Sequence, residues 1–379
     1  MTNTDLKLKN AEVIIDDDFS SSLEEGSANN QVFHYESKLS SSLTSRHLSM
    51  LALVGVFGTG IFLSSGSTLS NAGPVGMLIA FLFVGSVVGT NLISITENVC
   101  LMPSTAAIVK HSEYFIDDAW GFVMGWVGVY GAIFPSELAA ASVVVSYWTD
   151  LSPAIFITAF IVEVVAINAW NVKWYGEIEF WFGVLKLSLV LALILSGLIL
   201  DLGGVKGQER LGFHYWTHPG PFSEKLAPGS LGKFLGVWKA ISSVVYSYGG
   251  VQTSIVTFAG EAEYPRRTIY RASIRTFFRA FTLYILIVFV LSLIVAHNNP
   301  DIATGGGTAS SSPFVIAMSS AGVKVFPDII NAVVLTSALS AANLTVAGGA
   351  RTLYSLAARG HAPKIFLRLN RNKLPYVGA

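Results

Sequence analysis

Residues of three kinds in this chain could do chemistry inside a membrane. The first is a glycine cluster, Gly55-Val56-Phe57-Gly58-Thr59-Gly60-Ile61-Phe62, in the middle of the first long apolar stretch. Glycine costs roughly 1 kcal/mol against alanine at a helix centre, so this cluster predicts a broken helix. A helix broken at mid-depth offers free N–H groups at the start of one half, and these suit a carboxylate. Open backbone survives in a bilayer only where it is buried in protein or lines a cavity. The second reading of the same glycines is a small-residue packing surface, and the local sequence supports both. The second kind is Glu137, the only charged residue between 119 and 148. Placing an ionisable group in a bilayer costs about 2.5–3.5 kcal/mol on insertion scales, which makes it a functional candidate. A structural hydrogen bond to a neighbouring helix is the alternative. The third is Lys186, also in an apolar run, seven residues after its nearest carboxylate, Glu179. Snorkelling of its ammonium to the interface is the plainer reading.

The elements that must hold these groups are membrane helices. The chain has 379 residues, 52% of them hydrophobic and 13% charged, against about 25% charged in soluble domains. A mean hydropathy of +0.57 and repeated apolar runs of about 20 residues predict a polytopic membrane protein. Eight spans are expected, near 48–69, 74–96, 119–148, 153–171, 176–200, 236–259, 278–297 and 326–349. The polar, acidic segment 1–45 reads as a disordered cytosolic tail, and 46–379 as the transmembrane domain. Arg266, Arg267, Arg271, Arg275 and Arg279 follow span six, and Arg351, Arg359, Lys364, Arg368, Arg371 and Lys373 follow span eight. The positive-inside rule makes that side cytosolic, with both termini on it. A net charge of zero gives no argument for a nucleic-acid partner, and none is expected. The single cysteine, Cys100, excludes an internal disulfide. No metal-ligand spacing, His-Glu-x-x-His, Ser/Lys or Asp/Asp arrangement stands out, so an enzyme is not expected.

Several segments resemble the fungal amino-acid permease family of the amino acid–polyamine–organocation superfamily, over residues 45–379. Arg46-His47-Leu48-Ser49-Met50 with Gly58-Thr59-Gly60-Ile61-Phe62 resembles its first helix, and Pro135-Ser136-Glu137-Leu138-Ala139-Ala140 its third. Tyr175-Gly176-Glu177-Ile178-Glu179-Phe180-Trp181 with Lys186 resembles its fifth. Gly212-Phe213-His214-Tyr215-Trp216, Ala259-Gly260-Glu261-Ala262-Glu263-Tyr264-Pro265-Arg266 and Ser312-Pro313-Phe314-Val315 continue the series in order. The resemblance implies an all-α polytopic membrane protein of the leucine-transporter-like inverted-repeat fold. The first five-helix repeat would occupy about 46–200 and an incomplete second repeat about 236–379. About eight of twelve transmembrane helices would then be present, and the expectation is a permease truncated after the eighth.

The resemblance also implies roles. Backbone N–H groups near Gly58, Thr59, Gly60 and Ile61 would take the α-carboxylate of an amino acid. A matching break near Tyr248, Gly250, Val251 and Gln252 would take its α-ammonium. The family commonly has glutamate where this chain has Gln252, which argues against a basic substrate. Glu137 becomes a proton-coupling candidate. Lys186 would stand where related carriers hold a sodium ion, with Ser340 and Asn343 facing it. The expected activity is proton-coupled amino-acid import at the fungal plasma membrane, with the proton as coupling ion, no other cofactor, and the lipid bilayer as the surrounding partner. A transport-inactive amino-acid sensor and a non-functional truncated fragment, retained in the endoplasmic reticulum, are the alternatives. Glu163 receives no role.

Overall fold

The computed structural model describes residues 60–104, 106–130, 134–170, 172–205, 209–249, 265–303, 312–323, 325–370 and 374–378. In chain order the helices are α1 Gly60–Leu101, α2 Ala107–Phe115, α3 Asp118–Tyr130, α4 Phe134–Val145, α5 Pro153–Trp170 and α6 Val172–Asp201. They continue with α7 His214–Thr217, α8 Gly229–Tyr248, α9 Pro265–Ile294, α10 Pro300–Ala303, α11 Pro313–Ser320 and α12 Phe326–Ala358. Among the described residues, five spans are long and apolar enough to cross a membrane: Ser64–Leu101 in α1, Asp118–Val145 made up of α3 and α4, Tyr175–Asp201 in α6, Ile269–Ile294 in α9 and Phe326–Ala358 in α12. The chain is thus an all-α polytopic membrane protein. Apolar side chains on the outer faces, such as Phe83, Val162, Trp181, Leu195 and Phe278, are exposed, as a lipid-facing surface requires.

From Gly60 onward the first expected span joins the second in one helix, α1, kinked at Gly73. This residue has φ 76° and ψ 175°, and Pro74 follows it. Proline has no N–H, so the Ser70 carbonyl four residues back loses its helical donor. The Ser223 hydroxyl replaces it at 2.8 Å. The Val75 N–H turns to the Pro221 carbonyl at 3.0 Å, and the Ser223 N–H reaches the Ala72 carbonyl at 3.2 Å. The segment 221–223 therefore caps the break from outside the helix. A Cβ on Gly73 would lie 2.7 Å from the Phe222 Cα, so only glycine allows this approach.

Two packing groups organise the molecule. In the first, α1 is clamped by α8 and α9. Gly89 of α1 receives the Phe277 ring of α9, whose Cζ would lie 2.6 Å from a Cβ there. In the second, α12 runs through the middle of α3, α4, α5 and α6. Ala141 packs on Ala338 and Leu339, and Leu138 and Val164 pack on Ala342. Helix α6 also packs on α9 and so touches both groups. Within their membrane-spanning parts most of these helices show no amphipathic stripe, and small residues mark the contacts.

Two helices outrun their expected bounds. Helix α9 starts at Pro265, well before 278, and carries Arg271, Arg275 and Arg279 along one exposed stripe at i, i+4 spacing. Helix α12 continues past 349 to Ala358, where Arg359 pairs with Glu113 of α2 at 2.9 Å. Burial pushes the Glu113 carboxyl above the usual carboxylate range, and the Arg359 guanidinium pulls partly against it. At the opposite end of α12 the Trp148 indole N–H meets Asp328 at 3.3 Å.

Candidate functional site

The described start of α1 crosses the end of α8. A Cβ on Gly60 would lie 2.8 Å from the Ser247 Cα, 3.0 Å from the Ser247 hydroxyl and 3.2 Å from the Tyr246 ring. The absence of a side chain at Gly60 is what lets the two backbones meet. The Ser64 hydroxyl donates to the Gly60 carbonyl and lies 3.3 Å from the Ser247 hydroxyl. The Ser247 carbonyl accepts the Tyr284 hydroxyl at 2.9 Å. Three hydroxyl-bearing residues, Ser64, Ser247 and Tyr284, and a glycine thus hold the crossing.

A second crossing, between α6 and α12, is built from charge. Glu179 and Lys186 lie two turns apart on one face of α6. Both are essentially sealed from solvent, each 1% exposed. The Lys186 ammonium donates to the Ser340 hydroxyl at 3.1 Å, and Ser340 donates to Glu179 Oε2. A serine hydroxyl has one proton and two lone pairs, so this arrangement fixes its direction: it accepts from the lysine and donates to the carboxylate. Glu179 Oε1 and the Asn343 side-chain amide nitrogen are buried without hydrogen-bond partners among the described residues. The Asn343 carbonyl oxygen accepts from Asn168 of α5 at 3.2 Å.

Glu137 on α4 ties the two crossings together. Its Oε1 accepts the Tyr246 hydroxyl at 2.9 Å, and its charge acts on Lys186. Among the described residues, this buried set holds two carboxylates and one ammonium. Bringing an uncompensated charge into such an interior is costly.

The sequence matches the model of the amino acid permease family over residues 47–379. The chain belongs to that family. Among its relatives are an uncharacterized amino-acid permease of Schizosaccharomyces pombe, 37% identical over 88% of this chain and 65% of that protein. A proline-specific permease of Emericella nidulans is 38% identical over 88% of this chain and 62% of its own length. A lysine-specific permease of Saccharomyces cerevisiae is 38% identical over 91% and 57% respectively. The chain spans about three fifths of the length of the curated relatives it matches.

Of the residues nominated for permease function, Gly58, Thr59, Gly250, Val251 and Gln252 lie outside the described residues. Gly60 sits at the α1–α8 crossing. The Ile61 side chain is buried in the main core beside Phe62. The Tyr248 ring turns away from the crossing into a cluster with Phe81 and Tyr284, at centroid distances of 6.0 and 4.8 Å. Its hydroxyl reaches the Phe81 carbonyl at 3.4 Å. Glu137, Lys186, Ser340 and Asn343 are all buried in the core of the second packing group. Sequence reasoning did not nominate Glu179, Tyr246, Ser247, Ser64 or Asn168. The i, i+7 spacing of Glu179 and Lys186 was the available signal for the first, since it puts both on one helix face. An aromatic or serine in an apolar run carries no such signal.

Proposed function

We propose that this permease family member binds an α-amino acid and imports it across the plasma membrane together with a proton. The support is the juxtaposition at the centre of the fold. The glycine–serine crossing of α1 and α8 lies one residue from Tyr246, which is bonded to Glu137. A substrate carboxylate and a coupling proton would then be recognised by neighbouring groups, the one by backbone at Gly60 and the other by Glu137 with Lys186 as its counter-charge. Relatives are named for proline and for lysine, and Gln252 in place of the family's common glutamate favours a substrate without a cationic side chain.

Binding-linked proton movement tests this reading. Radiolabelled proline, lysine and glutamate are offered singly to the purified chain in weakly buffered solution with a pH-indicator dye. Binding of at least one, accompanied by uptake of about one proton and lost with Glu137→Gln, is the expected result. Binding with no proton movement and no pH dependence would remove the coupling; no binding at all would remove the substrate. In cells expressing the chain, uptake of the bound amino acid is expected to collapse when an ionophore dissipates the proton gradient.

A further inference from the structure

We propose that Tyr246 is a positioning residue for Glu137, joining the protonation state of that carboxylate to the α1–α8 crossing. The inference rests on the transport reading above for its purpose, and on geometry for its content. The Tyr246 side chain touches two sites at once. Its ring edge lies 3.2 Å from where a Cβ on Gly60 would be, and its hydroxyl donates to Glu137 at 2.9 Å. It thereby bridges the two packing groups, since Tyr246 belongs to α8 and Glu137 to α4. The next residue, Ser247, is pinned through its carbonyl to Tyr284 and stands beside Ser64, so a shift at Tyr246 must move the crossing.

Tyr246 is 42% exposed. Packing alone therefore does not account for its position, and the hydrogen bond orients it. A hydroxyl donated to an ionised carboxylate makes a charge-assisted bond roughly twice as strong as one between neutral partners. Protonation of Glu137 weakens that bond and frees the end of α8 from α4. The charged or titratable groups that the described contacts place against Glu137 are Lys186 from α6 and Tyr246 from α8. Glu137 meets Lys186 of α6 by charge and Tyr246 of α8 by a hydrogen bond. The second contact crosses to α8, the helix that meets α1 at Gly60.

The experiment compares the wild-type chain with Tyr246→Phe, which keeps the ring and removes only the donor. The protonation midpoint of Glu137 is followed by infrared difference titration, its carboxyl band being the one that disappears in Glu137→Gln. Loss of the donor is expected to raise the midpoint by about one pH unit. In parallel, the pH dependence of proline, lysine and glutamate affinity is expected to flatten. An unchanged midpoint overturns the assignment, as does a Glu137 band that never titrates while the protein stays folded. A moved midpoint with fully retained pH dependence of affinity also overturns it, because Tyr246 would then be a local partner and no link. Failure of the wild-type chain to bind any of the three amino acids counts against the transport reading instead, and the midpoint alone then decides the Tyr246 assignment.

Discussion

The two crossings at the centre of this molecule solve the same problem by opposite means. At Gly60 and Ser247 two helices approach because side chains are missing, and the backbone itself is the feature presented. At Glu179, Ser340 and Lys186 two helices are held by long charged side chains meeting at one hydroxyl. The first crossing is intolerant of added volume. The second is intolerant of lost charge. In the proposed transport cycle the backbone crossing would recognise what all α-amino acids share, and the charged crossing would change state with one proton.

The largest expected effect comes from leaving one charge of the second crossing alone. Lys186→Met leaves Glu179 and Glu137 buried without their shared ammonium, and breaking a buried pair in this way costs about 3–5 kcal/mol. Thermal unfolding of the purified chain should show it, and the double variant Lys186→Met/Glu179→Gln should recover part of the loss, the remainder belonging to Glu137. A double variant as unstable as the single one would mean the crossing is not held by charge. At the first crossing Gly60→Ala places a methyl 2.8 Å from the Ser247 backbone. Neither backbone can rotate out of the way, so overpacking of about 1–3 kcal/mol is expected, with amino-acid affinity at least about tenfold weaker. Unchanged stability and affinity would show that α8 yields freely there, and the contrast between the crossings would fail.

The two crossings also differ in how far the sequence announced them. A glycine cluster inside an apolar run is a backbone signal, local and readable. The charged crossing was half readable: Glu179 and Lys186 are spaced to share a face, but Ser340 lies more than 150 residues further on. Helices that are apolar all round give no stripe to say which faces meet, so pairing Ser340 with both groups required the fold. Tyr246 was silent for the same reason, since a tyrosine among valines and serines reads as core. The start of α9 was misjudged because Arg271, Arg275 and Arg279 look like loop by hydropathy, although at i, i+4 they form one helical stripe. The kink at Gly73 falls in the gap expected between spans 48–69 and 74–96, where two separate helices rather than one kinked run were expected. The segment 221–223 that caps it was not legible, because its contacts are backbone to backbone.

Depth sharpens the comparison. Arg359–Glu113 is the same chemistry as the α6–α12 set, placed at a helix end and half-buried. The Glu113 carboxyl is held above its ordinary value chiefly by burial, with Arg359 opposing. A folded-state carboxyl pKa above the unfolded one means the folded chain binds the proton more tightly. Its contribution to stability is therefore fully present below about pH 4.3 and is lost as pH rises through the folded value. Unfolding midpoints of wild type and Glu113→Gln, which does not titrate, should be compared from acid to neutral pH. The wild-type advantage should shrink on going up. An advantage that grows instead would mean Arg359 outweighs burial, making this pair a true stabilising latch.

The smallest expected effect uses glycine against itself. Gly349 lies inside α12, as Gly60 lies at the start of α1, but a Cβ there meets nothing within 4 Å. If neighbours rather than the residue type decide, Gly349→Ala should do the reverse of Gly60→Ala. Alanine narrows the freedom of the unfolded chain and favours the helix by about 0.5–1 kcal/mol. Thermal unfolding in the same detergent as the other variants should therefore show a small rise in midpoint, with amino-acid affinity unchanged. The helix around it is well anchored on both sides of the site: Asn343 is bonded to α5, and the Arg351 guanidinium folds back on the Ala347 carbonyl at 3.0 Å. A loss of stability would show that α12 uses the freedom of Gly349 in a second conformation. Glycine at the α1–α8 crossing could then no longer be explained by close approach alone.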